Sequence, residues 1–217
     1  MNLLEPLEQE NAPDASRDVM NSLEGEMGFL PNLYRVLAHS PSALRAYAAL
    51  NKLVHDTALS PAEQQVVLLA ISREHRSDYS IAMHSSMARG AGIDEEELDA
   101  LRESYPIPNN ERHEALRRFT QRVILRRGRL EDDDIDVFLA AGFEERHILD
   151  VILAVTMKTL SDYTNHVADT PVDEKYEEMR WQIRQQQARD FAFERRETPG
   201  RRRGDAPLPV RGGRWSH

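Results

Sequence analysis

The 217-residue chain contains no cysteine. That absence excludes disulfides, thiolate metal sites, iron–sulfur clusters and every mechanism with a cysteine nucleophile. Lysine is almost missing too: Lys52, Lys158 and Lys175 are the only three, so 25 of the 28 basic residues are arginine. Glycine (10), proline (11) and aromatics (6%) are scarce, which argues against a sandwich, a barrel or a disulfide scaffold. Long apolar runs are lacking as well. The longest unbroken one, Val66 to Ile71, falls far short of the roughly 20 residues that cross a bilayer as a helix. The opening MNLLEPLEQE is acidic and has no basic start with an apolar stretch behind it. No signal or transit peptide is therefore expected, and the expected location is the cytoplasm.

What is present is a polar, acidic, globular composition, 30% charged and 40% hydrophobic with net charge −9. The charge is uneven. From Arg180 to His217 ten arginines face four acids, a surplus of +6 that leaves −15 for residues 1–179. An acidic body repels nucleic acid and anionic membranes, while a basic tail attracts either. The stretch around Thr198-Pro199-Gly200-Arg201-Arg202-Arg203-Gly204-Asp205 has little to bury. The tail is read as a solvated extension, with a nucleic-acid or partner contact as the alternative.

Helix punctuation recurs along the body. Ser40-Pro41 supplies a cap and a proline at the first helical position, opening a segment to about Asp56. Ser60-Pro61-Ala62-Glu63 repeats the device and adds a capping box. From there the chain is expected to run as one helix through QQVVLLAISREHR into SDYSIAMHSSMAR, stopped by Gly90 and Gly92. Asp94 opens a short helix. Asn109 or Asn110 caps a longer one that Gly128 ends, and further helices are expected at about 131–141 and 144–169. The last carries a stripe of Ile148, Val151, Ile152 and Val155. No strand-type alternation persists, so the fold class is all-α. Residues 1–40 read as a lead-in with a short helix near Ser16 to Glu26, residues 41–182 as the helical domain, and residues 183–217 as the basic extension.

Within the lead-in, GFLPNLYRVLAHSP has the form of a rigid turn with apolar flanks. Together with LSPAEQQVVLLAISREHRSDYSIAMHSSMARGAGI and VTMKTLSDYTNHVADTPVD, it resembles the alkylhydroperoxidase D-like and carboxymuconolactone decarboxylase-like superfamily. The branch it is most similar to is the peroxidase-related one, and the likeness runs in order from about Gly28 to Asp173. The resemblance implies an AhpD-like helical bundle, a homo-oligomer (dimer, trimer or hexamer), and an active site beside the motif helix. Members that reduce hydroperoxides carry a Cys-x-x-Cys pair, a His four residues after the second Cys, and a Glu twelve before the first. A thiolate attacks the peroxide, the second thiol resolves the sulfenic acid, and the His and Glu move protons.

Mapped onto this chain, the two cysteine positions are Ser77 and Ser80, the glutamate position is Gln65, and only His84 keeps the family residue. A hydroxyl forms neither a sulfenic acid nor a disulfide, and a carboxamide takes up no proton. Dithiol peroxidase activity is therefore expected to be lost or altered. Gln65 and the absence of cysteine elsewhere favour natural divergence over an engineered Cys→Ser trap. His84 reads either as an acid/base group in a small pocket or as a satisfied buried histidine. Tyr79, Asn165 and His166 are candidates to line a substrate pocket, with packing or an interface as the alternative for each. No metal-ligand spacing links the histidines, and Asp132-Asp133-Asp134 reads as an acidic first helical turn rather than a calcium loop. No metal and no cofactor are expected. Three functions compete: an inactive or repurposed member of the peroxidase-related branch that binds a small apolar or peroxide-like ligand (a small molecule or hydroperoxide) in an oligomeric bundle, a cofactor-free lyase using His84, and a non-catalytic oligomeric binding protein.

Overall fold

A computed structural model describes residues 4–181; the basic extension expected from residue 183 onward lies outside the described residues. The described chain is helical, with nine α-helices and no strand among these residues. They are α1 (Asp14–Met27), α2 (Asn32–Leu37), α3 (Pro41–His55), α4 (Pro61–His75), α5 (Asp78–Gly90), α6 (Glu95–Glu103), α7 (Glu111–Leu125), α8 (Asp132–Ala140) and α9 (Glu145–Ala168). Short 3-10 helices lie at Gln9–Asn11 and Glu174–Met179. None of the described helices is long and apolar enough to cross a membrane.

The caps sit where the residue types place them. Ser40 accepts the Ala43 N–H, and Ser60 forms a reciprocal capping box with Glu63. Asp94 caps α6 and Asn110 caps α7. Each side chain satisfies an N–H that the first helical turn leaves without an internal partner.

At the centre is α4, which packs against α5, α7 and α9. Every residue from Glu63 to Ser72 on it is buried, so it shows no polar face of its own. That burial explains a departure from the sequence reading. The expected single helix from Ser60 to Gly90 is broken: α4 ends at His75, Arg76 takes a left-handed conformation (φ 60°), and α5 starts at Asp78. No glycine or proline marks the break. A continuous rod would carry α5 away from α4, whereas the turn lays its apolar face back on the core. Ala82 and Ala88 are fully buried there, and Tyr79 and Met83 join the same cluster. Apolar burial on both arms offsets one non-glycine residue in the left-handed region.

The lead-in is tied to the bundle rather than trailing from it. Gly28 turns with φ 74°, and α2 buries Leu33, Tyr34, Val36 and Leu37. Asp173 then clamps the turn: its Oδ1 accepts the Asn32 N–H at 2.9 Å, and its Oδ2 accepts the Tyr79 hydroxyl at 2.6 Å. The Asn32 side chain donates to the Pro171 carbonyl at 3.1 Å. These bonds hold Gly28–Leu33, the start of α5 and the 171–173 segment against one another. The segment after α9 is thereby fixed beside the α4–α5 turn.

Candidate functional site

Three helices bring the motif residues into one buried polar cluster. His84 lies on the inner face of α5, Gln65 on α4, and Lys158, Asp162 and Asn165 on the inner face of α9. Lys158 and Asp162 are completely buried and pair at 2.9 Å, one helical turn apart. The Ser80 hydroxyl donates to Asp162 Oδ1 at 2.5 Å, and His75 Nδ1 lies 3.0 Å from Oδ2. His84 is held on both sides, with Nδ1 3.1 Å from Gln65 Oε1 and Nε2 3.3 Å from Lys158 Nζ.

These partners fix proton positions. A protonated Lys158 can only donate, so His84 Nε2 is the acceptor and the ring proton sits on Nδ1, donated to the Gln65 carbonyl. Burial, and then the neighbouring Lys158, hold the His84 imidazole well below its ordinary range, outweighing Asp162. Burial also lowers Lys158, with Asp162 opposing it. Burial alone would raise the Asp162 carboxyl. Lys158 and the hydrogen bonds from His75, Ser80 and Lys158 outweigh that and hold it well below the usual carboxylate range. The cluster at neutral pH is thus a buried ion pair beside a neutral imidazole.

The other predicted residues divide. Ser77 takes the N-cap position of α5 yet makes no capping bond, and its buried hydroxyl has no protein partner. Tyr79 serves as the peg for Asp173, and its hydroxyl also accepts the Leu33 N–H at 3.3 Å. Burial and the Asp173 carboxylate push that phenol well above its ordinary range. Asn165 Nδ2 reaches Ser80 Oγ at 3.5 Å. His166 is exposed and donates to the Arg76 carbonyl at 3.2 Å. Ser77, Tyr79, Asn165 and His166 line a common groove of about 510 Å³ at the α4–α5 turn. Ser80, His84 and Gln65 do not line that groove; they form the cluster behind it. Among the described residues no group of acidic side chains or histidines is placed to hold a metal ion.

Lys158, Asp162, His75 and Asp173 were not singled out by sequence. One signal was available for the first two. The buried row of α9 runs Val151, Ala154, Lys158, Asp162 and Asn165, so a lysine and an aspartate at i and i+4 continue a helical stripe inward.

A pH dependence follows. The unfolded His84 protonates near pH 6.5, whereas the folded imidazole resists protonation. Its contribution to stability is complete above about pH 6.5 and is lost as pH falls toward the folded value, by at most about 1.4 kcal/mol per pH unit. Denaturant titrations of the unaltered chain and of His84→Gln at pH 7.5 and 5.5 test this. The unaltered chain is expected to lose about 1 kcal/mol more than the variant; parallel losses would remove His84 from the linkage.

Residues 41–122 match the carboxymuconolactone decarboxylase family. No curated protein matches the chain. Solved structures share its fold. A peroxidase-related protein from Ralstonia eutropha JMP134, described as an alkylhydroperoxidase AhpD core, is 20% identical, covering 81% of this chain and 96% of its own with TM-score 0.69. A peroxidase-related protein from Silicibacter sp. TM1040 is 17% identical over 80% and 94% of the two chains, TM-score 0.66. The debrominase Bmp8 is 16% identical over 82% and 96%, TM-score 0.67. A variant of that debrominase has been solved with 2,3,4-tribromopyrrole.

Proposed function

From an AhpD-like chain whose residues 41–122 are carboxymuconolactone decarboxylase-family sequence, we propose a thiol-free protein that binds a small molecule at the α4–α5 turn and does not reduce hydroperoxides. One observation carries this reading. Ser80, at the second cysteine position of the resemblance, is tied to Asp162, and this carboxylate also pairs with the buried Lys158. The position is built into a static polar network with no group that changes oxidation state.

The complex of the debrominase Bmp8 variant with 2,3,4-tribromopyrrole supports small-molecule binding as a use of this fold. A lyase driven by His84 draws less support, because both ring nitrogens are engaged inside the protein, one by Gln65 and one by Lys158. Leu149, Ile152, Tyr163 and Val167 are exposed along one side of α9, and that apolar row supports a homo-oligomer as part of the same reading.

The test is hydroperoxide reduction with a dithiol reductant and tert-butyl hydroperoxide. The unaltered chain is expected to consume peroxide no faster than the reductant alone. Turnover above that background would overturn the proposal.

A further inference from the structure

Three residues that line the groove at the α4–α5 turn each carry a buried polar atom without a protein partner: Ser77 Oγ, Asn165 Oδ1 and Thr170 Oγ1. Their residues are only 1%, 5% and 8% exposed, and they come from three different places in the chain. Ser77 follows the left-handed Arg76 and leaves its capping duty undone. Asn165 is in the last turn of α9. Thr170 stands just beyond that helix, its backbone N–H bonded to the Asn165 carbonyl at 3.1 Å. Polar groups buried this deeply are nearly always paired, so a set of three on residues lining one groove points to something that pairs with them.

The network behind the groove decides which way Asn165 faces. Asp162 is an ionised acceptor, so Ser80 gives it the hydroxyl proton and keeps only lone pairs for its other neighbour. Asn165 must then turn its NH2 toward Ser80 and its carbonyl toward the groove. A ligand has to offer that carbonyl an N–H or O–H donor. The two hydroxyls beside it can donate or accept. The charged rim is balanced, with Arg76 and Arg180 against Asp78 and Asp169, so it gives no net preference for an ion.

Resting on the reading of this groove as a ligand site, we infer that its ligands are small neutral molecules with an N–H donor beside an acceptor, of the carboxamide type, held by Ser77, Asn165 and Thr170. The donor meets Asn165 Oδ1, and the ligand carbonyl accepts from Ser77 or Thr170. A carboxylate would place negative charge against the Asn165 carbonyl. A ketone would leave that carbonyl unpaired, and sites built for a donor reject analogues that lack one.

Nitrogen-15 NMR titration of the full chain with acetamide, acetone and acetate tests this. Acetamide is expected to give saturable shifts at the Ser77, Asp78 and Thr170 amides. Acetone and acetate should bind at least about tenfold more weakly, the worth of one neutral hydrogen bond. Thr170→Val and Asn165→Ala should each weaken acetamide by about the same factor, and Thr170→Val, an isosteric change outside the helices, keeps the comparison on a folded protein. Equal affinity for acetone, or preference for acetate, overturns the inference. So does the absence of any shift at these amides, which would mean that water alone satisfies the three groups. The titration reads contact rather than turnover. Peroxide reduction by the unaltered chain would remove the thiol-free reading without altering this result, a flat titration would remove the groove as a ligand site, and a preference for acetone or acetate would remove the ligand class alone.

Discussion

Lys158→Met is expected to cost about 3–5 kcal/mol of stability, because it strands the Asp162 carboxylate in the core. Both side chains are fully buried, so water cannot take over from the missing ammonium. Ser80 and His75 still donate to Asp162, but two hydrogen bonds do not replace a full charge at 2.9 Å. Asp162→Asn alone should also destabilise, since it strands the ammonium and weakens the bonds from Ser80 and His75. The double variant Lys158→Met/Asp162→Asn should recover most of the loss: an uncharged carboxamide at position 162 still accepts a hydrogen bond and asks for no counter-ion. Urea titrations of the four proteins close the cycle. A cost below about 1 kcal/mol for Lys158→Met would show that the pair is hydrated, in contradiction to its burial.

The pair is also what makes the groove readable. An ionised Asp162 obliges Ser80 to donate, and that obliges Asn165 to present its carbonyl. A chain of one-way hydrogen bonds thus runs from a buried lysine to the lining of the groove at the α4–α5 turn. Buried ion pairs seldom add stability over an apolar replacement. Here the pair sets the polarity of the groove lining, and its electrostatic cost is offset by the apolar core around α4.

How much of this was legible in the sequence follows from what each feature depends on. Caps were legible because they are local: Ser40, Ser60, Asp94 and Asn110 each act on an N–H three residues away. The all-α class and the approximate helix bounds follow from the same local rules. The α4–α5 break was not legible, because nothing between Ser60 and Gly90 forbids a helix; it arises from two apolar faces that must meet the same core. The α9 stripe was misplaced at one position for a related reason, its Ile148, Val151 and Val155 meeting the core as expected. Ile148, Val151, Ile152 and Val155 fit one helical period, yet Ile152 is 42% exposed while Lys158 and Asp162 are inside. Hydrophobicity alone ranks an isoleucine above a lysine for burial, and only the tertiary pairing reverses that order. Tyr79 was legible as a packed residue, but its partner Asp173 lies 94 residues away and carries no local signal. Ser77, Ser80, His84 and Gln65 were found through resemblance. What the resemblance could not say is that they part into two layers, a groove lining at Ser77 and a closed network around the other three.

That division shapes what should happen when the residues of the resemblance are introduced by Ser77→Cys/Ser80→Cys/Gln65→Glu. Position 77 is the N-cap of α5, where unpaired N–H groups and the helix dipole favour a thiolate. Position 80 faces the Asp162 carboxylate, which disfavours a thiolate there. The thiol at position 77 should therefore attack the terminal peroxide oxygen. The O–O bond breaks, the alcohol leaves, and the sulfur is oxidised to a sulfenic acid. The thiol at position 80 then displaces water to form the disulfide, and an added dithiol reduces it. A carboxylate at position 65 would face His84 Nδ1, now 3.1 Å from an amide oxygen, and would raise the imidazole toward a range where it exchanges protons. The triple variant is expected to exceed the double-cysteine variant by about 10²-fold in peroxide turnover, the usual worth of a positioned acid–base group. Without added dithiol, Ser77→Cys alone should consume one equivalent of peroxide and stop. If it is Ser80→Cys alone that consumes the equivalent, the helix terminus is not the controlling field. If the triple variant gains nothing over the unaltered chain, the pocket differs from a peroxidase pocket in shape as well as in reactive groups.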